Sequence, residues 1–96
     1  MIEVEVSDDR ITVTGHSGYA PPGQDIVCSA VSVLIQTLIF TIEQKEPGAI
    51  DCRLLPGDTE VLITYPSELT KTLIDAFFIG VNAVADAYPE NVKIIR

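Results

Sequence analysis

The chain has 96 residues, 47% of them apolar and 21% charged, enough for one domain with its own core and too apolar for a disordered tail. Acidic side chains outnumber basic ones 14 to 6, for a formal net charge of −8. No Lys or Arg stands between Arg10 and Lys45, so the basic stripe that neutralises phosphates is missing and direct binding of RNA or DNA is not expected.

Residues 2–6 alternate apolar and acidic side chains, the pattern of a strand with one wet face. Asp8-Asp9 breaks the run and Ile11 to Thr14 alternates again, which predicts a hairpin. Gly15 to Gln24 holds three glycines and two prolines in ten residues and reads as a loop. Asp25 is a good N-cap for a helix running to about Gln44, stopped by Pro47-Gly48. Ala49 to Leu55 predicts a third strand, with Ile50, Cys52 and Leu54 on one face. Pro56-Gly57-Asp58 is the turn into a fourth strand, Thr59 to Tyr65. Ser67 caps a second helix that carries Leu69, Leu73, Phe77, Val81 and Val84 to about Tyr88. Pro89 ends it, and Val92, Ile94 and Ile95 form a last strand. The order β-β-α-β-β-α-β over residues 1–96 gives a single α+β domain: two layers, with two helices packed on a mixed or antiparallel sheet.

Ile26 to Ile42 carries no charge and approaches the length of a membrane span. Polar residues within it, and Asp25 and Glu43 as flanks, favour a helix buried in a soluble domain. The opening Met1-Ile2-Glu3 has no secretory pattern, so a reducing cytoplasm and two free thiols are expected.

Chemistry concentrates in one place. His16, the chain's only histidine, stands at a strand end beside the glycine-rich loop, and Cys28 lies in the first turn of the first helix. An ordinary thiol, with a pKa of about 8.5, is only a few per cent thiolate at neutral pH. The helix dipole contributes about 0.3–1 kcal/mol toward the charged form, whereas an imidazolium partner contributes much more. Cys28 is therefore a nucleophile if His16 lies beside it and a small buried hydrophobe if not. Asp25, Cys28 and Ser32 share one helix face by their i, i+3, i+7 spacing. Cys52, flanked by Ile50 and Leu54, reads as structural. Gly15 to Gly18 is not the G-x-S-x-G elbow of a serine hydrolase, and no phosphate loop is present. One His and two distant Cys make no closed zinc site, so neither metal nor cofactor is expected. A thiol-redox role lacks a C-x-x-C pair. A module that only binds a partner remains the non-enzymatic alternative.

Gly15-His16-Ser17-Gly18-Tyr19-Ala20, followed by Gly23-Gln24-Asp25-Ile26-Val27-Cys28-Ser29-Ala30-Val31-Ser32, resembles the paired signature G-H-A/S-G-Y-A and G-x-D-I-V-C-A/S-A-V-S of the ribosomal-processing cysteine protease family, Prp. The closing Y-P-x-N-V-K-I, Tyr88 to Ile94, fits the same pattern, so the resemblance covers nearly the whole chain. It implies a cytoplasmic, homodimeric endopeptidase that removes the N-terminal extension of the large-subunit ribosomal protein L-twenty-seven. Cys28 falls at the nucleophile and His16 at the general base. Asp25 and Ser32 fall at supporting polar positions. Asp25 either caps and orients or bonds His16 directly, and N–H groups at the helix start are candidate oxyanion donors. Gly15, Gly18, Tyr19 and Gly23 are expected to shape a substrate loop. Pro21-Pro22 occupies a stretch that varies in the family and restricts that loop's motion.

Overall fold

The early alternation becomes a hairpin, in which β1 (Ile2–Val6) and β2 (Arg10–Thr14) pair antiparallel with Val4 opposite Val13 and Glu5 opposite Thr12. The computed structural model describes residues 1–21 and 23–95. α1 (Ile26–Lys45) follows the glycine-rich loop, and β3 (Ile50–Leu55) and β4 (Asp58–Ile63) form a second hairpin. α2 (Glu68–Ala87) then leads to β5 (Val92–Ile95).

The five strands lie in the order β3-β4-β2-β1-β5. Neighbours are antiparallel except at the last edge. There α2 acts as a crossover and delivers β5 parallel to β1, with Ile2 opposite Val92. Of the two sheet types the sequence left open, the fold is therefore the mixed one.

α1 is the one described helix long and apolar enough to cross a membrane. In this fold its apolar stripe has another use. Val27, Val31, Ile35, Leu38, Ile39 and Ile42, at the i, i+4 spacing of one helix face, are buried in the common core. They meet Val4, Ile11 and Val61 of the sheet and Phe77 and Val81 of α2. Leu69, expected on the buried face of α2, is instead exposed, and Thr70 takes the inward position. Its N–H donates to the Oγ of the Ser67 cap at 3.2 Å, so a polar side chain suits the first turn.

Leu54 also departs from expectation. It lies on the inward parity of β3, yet it is partly exposed, because an open cleft replaces helix packing at that end of the sheet. That opening is where the functional residues gather.

Candidate active site

Asp25 caps α1 from an extended backbone conformation, and its Oδ1 accepts from the Cys28 N–H at 2.9 Å. Its Oδ2 accepts from the Ser17 hydroxyl, a residue only 2% exposed. The Ser17 bond first, and the Cys28 N–H second, hold the Asp25 carboxyl at about 2, below its ordinary 3.8. Partial burial works against this but does not win. The carboxylate is thus committed to donors of the loop and the helix start, the Ser17 hydroxyl and the Cys28 N–H foremost, with the Ala20 N–H and the Cys28 side chain contributing less. None of these donors is His16, so the capping and orienting role is the one the geometry retains.

Cys28 is half-buried, and its Sγ accepts from the Ser17 backbone N–H at 3.4 Å. That N–H belongs to the peptide joining His16 to Ser17. One peptide unit therefore carries both the histidine's main-chain attachment and a donor aimed at the sulfur. The helix-start N–H groups are less available than expected for an oxyanion. Those of Cys28 and Ser29 already donate to Asp25, through its side chain and through its carbonyl at 3.1 Å.

The histidine is set from the other side by the β3–β4 turn. Pro56-Gly57 links the two strands, with Gly57 at φ +68, the Pro-then-Gly pattern of a type II turn. The Gly57 carbonyl accepts from the Gly15 N–H at 2.9 Å. A Cβ on Gly57 would stand 3.0 Å from both Cε1 and Nε2 of His16. A side chain at position 57 would push the imidazole a few tenths of an ångström from this place. Gly15 is constrained as well: at φ +89, a Cβ there would sit 2.4 Å from the Met1 carbonyl oxygen. Among the described residues the His16 ring makes no side-chain hydrogen bond, and it is exposed to solvent.

Cys28 and His16 both line a cleft of about 400 Å3. Ser32 and Gln36 of α1 form one wall, Leu54 to Gly57 of the hairpin the other, and Ile2 and Val13 lie at its floor. Of the other residues the sequence singled out, Gly15 and Ser32 also line the cleft. Asp25, Gly18, Tyr19 and Gly23 do not line it. Gly18 and Gly23, at φ +71 and +84, have open space around them. Tyr19 packs edge-on against Tyr88 with ring centroids 5.4 Å apart, which anchors the loop to the end of α2. Pro21 caps a turn by accepting from Gln24 N–H at 3.0 Å, while Pro22, the other expected stiffener, lies outside the described residues.

Three residues outside the expected site set complete the arrangement. Ser17 joins cap, loop and sulfur. Gly57 abuts the imidazole. Asn91 donates from its Nδ2 to the Ser17 carbonyl at 3.0 Å across 74 positions of sequence. The signature residues Ser17 and Asn91 were visible in the sequence as matches, but their contacts are tertiary.

A half-buried cysteine in the first turn of a helix and an exposed histidine lining the same open cleft fit the cysteine peptidase class. The family model for cysteine protease Prp matches residues 1–93, and the chain belongs to that family. It is 27% identical over 94 residues to the ribosomal processing cysteine protease Prp of Mycoplasma genitalium, covering 98% of this chain and 94% of the relative. To the same protease of Mycoplasma pneumoniae it is 29% identical over 90 residues, covering 94% and 89%. Its fold is similar to that of an essential ribosomal processing protease Prp from S. aureus, solved with a covalently linked product peptide. The TM-score is 0.86 at 16% identity, covering 98% of this chain and 95% of the other.

Proposed function

We propose that Cys28 and His16 form the catalytic pair of an endopeptidase that removes the N-terminal extension of the large-subunit ribosomal protein L-twenty-seven. The observation that carries this reading is the Ser17 N–H on the Cys28 sulfur, with His16 on the same peptide unit and both residues in one cleft. His16 takes the thiol proton, and the thiolate attacks the scissile carbonyl carbon to form a C–S bond. Collapse of the tetrahedral adduct breaks the C–N bond, and His16 returns the proton to the departing amine. Water, deprotonated by His16, then cleaves the thioester and restores the thiol. Asp25 and Ser32 support the pair, Asp25 as the cap and loop tie and Ser32 as a polar residue of the cleft wall.

The charge distribution supports a basic precursor as substrate. Residues 11–44 contain no Lys or Arg. In the β3–β4 hairpin, Arg53 does not line the cleft and pairs with Asp58 through two contacts, at 3.0 and 3.3 Å. The working form in this reading is a cytoplasmic homodimer. Outward apolar side chains on both helices, Val33 at 60% and Ile79 at 71% exposure, supply surface that a second copy would cover, and sedimentation velocity checks that expectation.

The test is incubation under reducing conditions with a peptide spanning the precursor's cleavage junction. Cleavage by the wild type, lost in both Cys28→Ala and His16→Ala, is the expected result. An intact peptide from the host's own precursor would refute the proposal.

A further inference from the structure

We propose that Asn91, acting through Ser17, is a positioning residue that holds a backbone N–H on the nucleophilic sulfur. This rests on Cys28 being the nucleophile. All polar groups of Ser17 are engaged although the residue is almost fully buried. Its N–H donates to Cys28 Sγ at 3.4 Å, and its hydroxyl donates to Asp25. The same Oγ accepts from the Tyr19 N–H at 3.2 Å, and its carbonyl accepts from Asn91 Nδ2 at 3.0 Å.

Asn91 is itself fixed. Its N–H donates to the Tyr88 carbonyl at 3.0 Å, and its own carbonyl accepts from the Ile2 N–H at 2.9 Å. The side chain therefore reaches the active-site loop from a rigid junction between the end of α2 and the start of β1. An N–H pointing at sulfur favours thiolate over thiol, because hydrogen bonds to ionised acceptors are the stronger ones. Its effect depends on orientation. The peptide on each side of Ser17 must stay put, and Asn91 holds the second one. Without that donor the Ser17 carbonyl must turn toward water to find a partner, and the neighbouring N–H···S contact loosens with it.

Two variants separate positioning from mere structural support. Asn91→Ala removes the donor. Asn91→Asp keeps the shape but sets a carboxylate against the Ser17 carbonyl, and it regains a donor only when protonated. Alkylation of Cys28 by iodoacetamide, followed by mass spectrometry, reads the thiolate without needing a substrate. We expect Asn91→Ala to slow it about three- to tenfold near neutral pH. For Asn91→Asp, the deficit relative to wild type should shrink as pH falls from about 8 to about 4, through the carboxyl's titration. On peptide substrate, kcat should fall about tenfold with KM held within about twofold.

Thermal melts identify a variant that does not fold, in which case the other variant carries the alkylation test. Alkylation at the wild-type rate in a folded Asn91 variant would overturn the proposal. An Asn91 variant with the alkylation deficit, in a protein that fails to cleave the ribosomal precursor, would uphold this inference while the substrate reading fell.

Discussion

The two cysteines are both free and both half-buried, yet their surroundings differ. Cys52 sits on the edge strand β3, where burial first, and then Glu43 and Asp51, push its thiol above the ordinary value of 9.0. Cys28 stands in the first turn of α1, accepts a backbone N–H at its sulfur and shares a cleft with His16. The carboxylate nearest to it, Asp25, is occupied by the Ser17 hydroxyl and the Cys28 N–H. In the proposed function the same functional group is thus structural in one place and a nucleophile in the other. The difference lies in which dipoles and charges face the sulfur.

Deleting each thiol is the strongest way to break that contrast. Cys28→Ala should reduce peptide cleavage to background, whereas Cys52→Ala should keep kcat within about twofold, since it is remote from the proposed chemistry. His16→Ala should lose about 10²–10⁴-fold in kcat, the usual worth of a positioned general base, and steady-state kinetics on the junction peptide measures both.

The next effect tests the hairpin. Gly57→Ala sets a methyl carbon where the imidazole must shift by a few tenths of an ångström, so kcat should drop by roughly tenfold. Gly48→Ala is the matched control: its φ of +89 makes the substitution strained, but no atom lies within 4 Å of the added methyl and the residue does not line the cleft. It should lower the melting temperature and leave kcat largely intact. Equal kcat losses in the two variants would remove Gly57 from the site.

A smaller effect is expected from acid. Because the folded Asp25 carboxyl titrates at about 2 rather than 3.8, the folded state binds this proton less readily than the unfolded chain. The stability it contributes is complete above the unfolded value and is lost as pH falls through the folded one. Asp25→Asn should therefore flatten the dependence of melting temperature on pH across that window, as followed by circular dichroism. Unchanged slopes would show that the cap bears no charge-dependent load. The smallest expected effect is on encounter. Raising salt should lower kcat/KM on the whole basic precursor more than on a short neutral peptide, and equal dependence would confine the net charge of −8 to solubility.

How much of this was legible in the sequence follows from the range of each interaction. Element order and both helix caps depend on local patterns along the chain and could be read from it, and the proposed Cys28–His16 pair rests on the paired signature of residues 15–32. The parallel β1–β5 edge could not, because nothing in Val92 to Ile95 specifies a neighbour. Gly57 was readable as a turn residue, but its place against His16 depends on how the second hairpin folds over the first. Ser17 and Asn91 could be matched to the family's pattern without showing that one holds the other. Leu69 and Leu54 were misplaced for a common reason. Periodicity marks the side of an element that faces inward, but not where the covering layer ends.

The most direct measurement is limited iodoacetamide labelling of the native protein, with Cys28 and Cys52 quantified separately by mass spectrometry, in the wild type and in His16→Ala. Cys28 should be modified at least about tenfold faster than Cys52 at slightly acidic pH, and His16→Ala should erase most of that advantage. Comparable rates at the two thiols, or a Cys28 advantage that survives the loss of His16, would contradict the assignment of a histidine-activated nucleophile.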